Sequence, residues 1–264
     1  MNFNRFIRYR YYNLFKANYK NNKRYNFSWS ISGVTTVKKI EINFKRWAGM
    51  LVLLCGCTSV MAEQGDWFVR ARGIVIYPND DSGLISLDGS SVPNTGVNVD
   101  TNVVPELDVT YMFLRNWGVE LIAGTSIHTV NSEGTGLKLP KGYDLFDTWV
   151  LPPTVTLQYH FLPDGKIRPY LGVGANYTKF FAANATSALE SRLGGPVGVN
   201  LDSSWGWAVQ GGVDISLKDN WFINLDLKYI DMSTTAYLKT PVGNLSVDVD
   251  VDPLVFGAGI GYRF

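Results

Sequence analysis

The sequence predicts an all-β protein, an eight-stranded antiparallel transmembrane β-barrel with both termini periplasmic, on three observations. The chain ends on VDPLVFGAGIGYRF, in which Leu254, Phe256, Ala258, Ile260, Tyr262 and Phe264 alternate with Val255, Gly257, Gly259, Gly261 and Arg263. That is the period of a strand with one greasy face, and a terminal aromatic on such a face suits the rim where a barrel closes in lipid. Seven earlier segments repeat the alternation, each setting apolar residues against small, polar or charged ones. The connections run long, short, long, short, long, short, long, which matches long loops outside, short periplasmic turns and an even strand number.

The first 62 residues stand apart. Met1 to Arg46 holds 11 of the 24 Lys and Arg but a single acid, Glu41, and has no core-forming period. Lys38-Lys39 and Lys45-Arg46 form a basic segment, Trp47 to Val60 an apolar one and Val60-Met61-Ala62 a small-residue cleavage site, so residues 37–62 read as a secretory signal peptide. Such peptides begin close to their basic residues. Residues 1–36 are therefore expected to be a non-native extension from a gene-start error, with Val37 the true first residue. The two cysteines, Cys55 and Cys57, fall inside the signal. Cys57 lies in a lipoprotein-like box, ranked behind cleavage after Ala62 because a barrel needs no lipid anchor. Residues 63–264 carry 13 Lys and Arg against 22 Asp and Glu, a net charge of −9, which disfavours a nucleic-acid partner. They contain no cysteine for a disulfide or metal site and no run of about 18 apolar residues for a membrane helix.

The first strand is expected from about Trp67 to Tyr77, with Trp67, Val69, Ala71, Val75 and Tyr77 outward and Arg70 and Arg72 inward. A polar, Gly-rich loop from Asn79 to about Thr101 leads to the second strand, where Leu107, Val109, Tyr111 and Phe113 oppose Glu106, Asp108, Thr110 and Met112. After a turn at Arg115-Asn116, the third, about Trp117 to Val130, turns Val119, Leu121, Ala123 and Ile127 out and Glu120, Ile122, Gly124, Ser126 and His128 in. A longer loop is expected to reach Asp147. The fourth, Thr148 to Phe161, contains Pro152-Pro153, which cannot donate ladder hydrogen bonds and implies a break near its outer end. Beyond Pro163-Asp164-Gly165 the fifth, Arg168 to Phe180, alternates Leu171, Val173, Ala175 and Tyr177 with Tyr170, Gly172, Gly174, Asn176 and Thr178. A long loop to about Ser203 precedes the sixth, with Trp205, Trp207, Val209 and Val213 out and Gln210 and Asp214 in. Lys218-Asp219-Asn220 turns into the seventh, where Trp221, Ile223, Leu225, Leu227 and Tyr229 oppose Asn224, Asp226, Lys228 and Ile230. The last loop spans about Thr235 to Asp250. Its SVDVDVD run reads as a strand continuing beyond the membrane, not a calcium loop, since it lacks the glycine turn.

Periodicity alone does not say which face is inside, because a soluble barrel would put the apolar face inward. Arg70, Arg72, Glu106, Asp108, Glu120, Asp214, Asp226, Lys228 and Arg263 share one face, which demands a wet lumen and leaves the apolar face to lipid. Eight strands enclose a bore that side chains nearly fill. Opposite charges are expected at two heights, Arg70, Glu120, His160, Asp214 and Arg263 toward the periplasm and the others above, with an ion-pair plug in the lower lumen.

In order and spacing, LPPTVTLQYHF (151–161), RPYLGVGANYT (168–178), SSWGWAVQGGVD (203–214), YIDMSTTA (229–236) and the closing DPLVFGAGIGYRF resemble the OmpW family of outer-membrane proteins. The resemblance covers about Gly65 to Phe264. It implies an eight-stranded outer-membrane barrel whose narrow, partly hydrophobic interior serves passage of small hydrophobic molecules.

A solute descending such a lumen meets charges below, so sideways release into the bilayer is the cheaper exit. Pro105, Pro152 and Pro153 are the expected weak points for that opening. Ile122, the main inward apolar residue of its strand, and Lys228, amid carboxylates, are the expected functional lumen residues. The alternative is a plugged structural barrel whose loops bind a phage or bacteriocin or act as an adhesin. Partners otherwise reduce to outer-membrane lipids and small hydrophobic solutes. No cofactor or metal is expected, and no catalysis: Ser126 and His128 form a chance pair turned into the lumen, away from lipid substrate.

Overall fold

The computed structural model describes residues 64–264. The expected extension, signal peptide, cleavage site and Cys57 alternative lie outside the described residues.

Eight strands follow one another: β1 (Trp67–Tyr77), β2 (Asn102–Leu114), β3 (Trp117–Gly124, continuing as Ser126–Ser132), β4 (Asp144–Leu151, then Thr154–His160), β5 (Ile167–Ala185), β6 (Ser204–Ser216), β7 (Trp221–Ile230) and β8 (Leu254–Arg263). Each pairs antiparallel with its sequence neighbours. β8 returns to β1 from Phe68↔Arg263 to Tyr77↔Leu254, closing the barrel without a free edge. Alternation holds as expected. The outward residues of every strand are largely exposed and apolar, while Arg70, Arg72, Asp108, Glu120, Asp214 and Lys228 are buried in the lumen.

Aromatic pairs ring both ends of the apolar band. At the end carrying the short turns stand Trp67–Tyr111, Trp117–Tyr159 and Trp221–Tyr262, with centroids 4.7, 5.0 and 5.0 Å apart. At the loop end stand Tyr177–Trp205 and Trp207–Tyr229, at 4.7 and 5.3 Å. Such amphipathic rings sit at membrane–water interfaces. In the Lys218-Asp219-Asn220 turn, Asp219 and Asn220 adopt φ of 55° and 67°, the left-handed conformation that short polar side chains tolerate and tight hairpins need.

The long connections depart from the expected open loops. Residues expected to be the last loop form a hairpin, Ser233–Thr240 against Gly243–Asp250, and the second of these strands takes in the SVDVDVD run as far as Asp250. A helix, α1 (Ser187–Leu193), occupies the expected loop after β5; Thr186 Oγ accepts from the Leu189 amide at 3.1 Å and Gly194 closes the helix at φ 82°. β4 starts at Asp144 and β5 extends to Ala185, further than expected, because the two pair with each other beyond the membrane band. What holds these pieces is an apolar cluster that includes Ile85, Val97, Phe146, Leu189, Leu238 and Val247. Its residues are dispersed over the four long connections and the outer ends of β3 and β4, so no local period announces it.

Candidate functional site

The lumen is filled in layers. Nearest the turns, Phe68, Met112 and Phe222 form an apolar floor, with His160 edge-on to Phe68 and stacked on Tyr170. Facing strands make room with glycine: a Cβ on Gly261 would lie 2.2 Å from the Phe222 ring, and one on Gly212 2.4 Å from the Tyr170 hydroxyl. Phe68 and Phe222 escaped the sequence reading, although both lie on the Arg70 and Asn224 parity of their strands.

Above this floor the charges form one continuous network, which corrects the expected two levels. Arg70 sends Nη1 to Asp108, Thr110 and Glu120 at 2.9, 2.7 and 3.3 Å, and grips Asp214 with Nη2 and Nε at 3.0 and 3.3 Å. Arg72 contacts Asp108 at 2.6 Å, Glu106 at 3.1 Å, and Glu120 and Asp226 at 3.5 Å. Asp108 and Glu120 thus touch both guanidinium groups, which fuses the levels. Lys228 Nζ lies 3.2 and 3.1 Å from the two Glu106 oxygens and 3.8 Å from Asp226. Neutral groups satisfy remaining lone pairs: Gln210 and Thr156 donate to Glu120 at 2.6 and 3.0 Å, Asn224 to Asp214 at 2.8 Å, and Tyr170 to Asp226 at 2.9 Å. Burial on this scale is tolerable only with such dense pairing. Arg263 Nε lies 3.6 Å from Asp66 at the turn end.

The network is the base of a cavity that extends toward the loops and holds about 1010 Å³ of empty space, counting the part open to solvent. Its walls include Ile74, Val104, Ile122, Ile230, Met232 and Val255, and the charged side chains that reach it are Glu106 and Lys228. Ile122 and Lys228 therefore meet at the base of one apolar cavity. The inward Ile74, Ile76 and Val104 were missed by sequence reading, although their parity with Arg72 and Glu106 would have placed them there.

Pro105, Pro152 and Pro153 converge on one point in the wall. β2–β3 pairing ends at Glu106↔Gly124, and the first long connection resumes it only at Val99↔Val130. β3–β4 pairing stops at Thr154↔Ile122 and resumes at Ser126↔Val150, in register across the gap. Thr125 is thus skipped on both sides, with Pro105 opposite one flank and Leu151-Pro152-Pro153 opposite the other. Pro152-Pro153 breaks β4 midway, since eight residues of the strand lie beyond it, not near its end as expected. Pro105 itself remains in an unbroken ladder with β1 through Gly73. Gly124, Thr125 and Pro152 all line the cavity, so it reaches this seam.

Ser126 and His128 also line the cavity, with Ser126 Oγ 2.9 Å from His128 Nε2. The group facing Nδ1 at 3.1 Å is the Asp100 backbone oxygen. A carboxylate in that place would complete a catalytic triad; here there is none. Among the described residues no group of three metal-ligating side chains occurs, and no helix is long and apolar enough to cross a membrane.

A closed eight-stranded barrel with a lipid-facing apolar band, two aromatic girdles and a charged, plugged lumen defines the class: a transmembrane β-barrel of the bacterial outer membrane. The chain belongs to the OmpW family, whose description matches residues 63–264. It is 35% identical over 206 residues to outer membrane protein W of Vibrio cholerae, covering 76% of this chain and 90% of that one. It is 29% identical over 213 residues to the dibenzothiophene metabolism operon protein PahQ of Pseudomonas aeruginosa, covering 80% and 95%. Among solved structures it resembles OprG of Pseudomonas aeruginosa, with a TM-score of 0.72 at 35% identity over 77% of this chain and 98% of that one.

Proposed function

We propose that the barrel carries small hydrophobic molecules from its loop end, facing outside, into the cavity and releases them sideways into the bilayer at the Thr125 seam, with both termini on the periplasmic side. The observation that carries this reading is an apolar cavity ending on a buried ion-pair network beside an interrupted stretch of wall. A hydrophobic solute crossing the network would have to desolvate or separate buried charges, at several kcal/mol each. Leaving through a wall segment with unmade ladder bonds requires no such separation. Ile122 and the stems of Glu106 and Lys228 turn the solute toward the seam. The relative named for a dibenzothiophene metabolism operon agrees with a hydrophobic cargo.

The test is a staple. Val103 and Ile127, both exposed, would face each other if the ladder crossed the seam. In a Val103→Cys, Ile127→Cys variant, oxidation is expected to lower transfer of a fluorescent hydrophobic solute into outer-membrane lipid severalfold, with recovery on reduction. Unchanged transfer in the oxidised, folded barrel rules out lateral release at this seam.

A second reading, a receptor or adhesin for a phage or bacteriocin, is favoured by the packed cluster that gives the loops a fixed surface. Trimming the hairpin tip at Pro241 and Val242 is then expected to abolish attachment and spare solute passage.

A further inference from the structure

We propose that the cavity selects apolar molecules carrying one hydrogen-bond donor, phenols and alcohols, over hydrocarbons and over ethers and ketones of the same shape. The inference rests on the reading of the cavity as the solute site and adds the chemical class it takes. Five hydroxyls line its wall, those of Thr125, Ser126, Thr148, Thr154 and Thr234. A hydroxyl has one proton to give and two lone pairs to receive with. Four of the five protons are directed to backbone oxygens, which can only accept: Thr125 to Val150 at 3.2 Å, Thr148 to Trp149 at 3.4 Å, Thr154 to Pro152 at 3.0 Å and Thr234 to Asp202 at 2.7 Å.

Ser126 is fixed through its neighbour. The Asp100 oxygen facing His128 Nδ1 can only accept, so in the neutral ring Nδ1 carries the proton. Nε2 is then the acceptor, and Ser126 must donate to it at 2.9 Å. At the base, Lys228 Nζ donates to both Glu106 oxygens at 3.2 and 3.1 Å and lies 3.8 Å from Asp226. The five hydroxyls of this wall therefore offer lone pairs and no free hydrogen. Thr154, which also accepts from Asn176 at 2.9 Å, still keeps one lone pair.

A solute hydroxyl gains a bond without disturbing any of these. At these hydroxyls an ether or ketone must either bury its oxygen unpaired or pull a hydroxyl from its partner, orphaning a buried acceptor. The difference corresponds to a preference of about tenfold.

The test uses two isosteric probes, 1-naphthol and 1-methoxynaphthalene, with the full protein in lipid nanodiscs, by equilibrium dialysis against empty nanodiscs. After subtraction of lipid partitioning, 1-naphthol is expected to bind about tenfold tighter. His128→Leu frees the Ser126 proton toward the cavity and is expected to raise binding of the ether severalfold. Thr234→Val, should the former fail to fold, is expected to weaken 1-naphthol and leave the ether unchanged. Equal binding of the two probes overturns donor selectivity while leaving the cavity a solute site. Binding of neither overturns both.

Discussion

Arg70 is the side chain on which the lumen depends most. It is fully buried, carries three carboxylates, and lies 5.5 to 5.6 Å from the rings of Phe68, Tyr170 and Phe222, where ring faces add to its stabilisation. Arg70→Leu leaves Asp108, Glu120 and Asp214 short of positive charge in a low-dielectric interior. The expected loss is about 3–5 kcal/mol, read by urea titration of the barrel in lipid vesicles. The exposed pair Arg115–Asp164 supplies the contrast, because water and salt screen it. Arg115→Ala is expected to change stability by less than about 1 kcal/mol in the same titration. Similar values for the two variants would mean that the network does not hold the barrel together.

At the scale of elements, complementary sizes set the fit of one strand against the next. Gly261 of β8 leaves the space that Phe222 of β7 fills. Gly261→Ala is expected to cost about 1–3 kcal/mol by overpacking, and Phe222→Leu in the same chain to recover part of that. A double-mutant cycle by denaturant titration checks the coupling, and strict additivity would show that the two do not share the space. Among the loop elements, α1 depends on its cap. Thr186→Ala removes the acceptor for the Leu189 amide and is expected to cost about 1 kcal/mol locally, visible as faster amide exchange over residues 187–193 with the barrel strands unaffected. The seam belongs to this scale too. Each proline only deletes a donor in its own strand; the gap exists because three of them come opposite the same few residues of β3.

For the whole molecule, the filled lumen predicts an electrically quiet barrel. In planar bilayers the folded protein is expected to pass no steady ionic current, since the Phe68–Met112–Phe222 floor and the network above it leave no water-filled path. A stable open-pore conductance would contradict that closure. Much of this molecule was legible in its amino acids: eight alternating segments gave the strands, and the parity of Arg70, Glu120, Asp214 and Lys228 placed them inward. Short-range period suffices there because side-chain direction in a strand depends only on odd or even position. Closure and stagger of the barrel decided the rest. Whether Arg70 and Arg72 serve separate levels or one network depends on the register that brings Asp108 and Glu120 between them. The cavity above Lys228, the convergence of Pro105 with Pro152-Pro153 and the folded loop cluster likewise join residues far apart in the chain. No local pattern encodes such meetings; they follow from how far each strand slides against its neighbours when the sheet closes on itself.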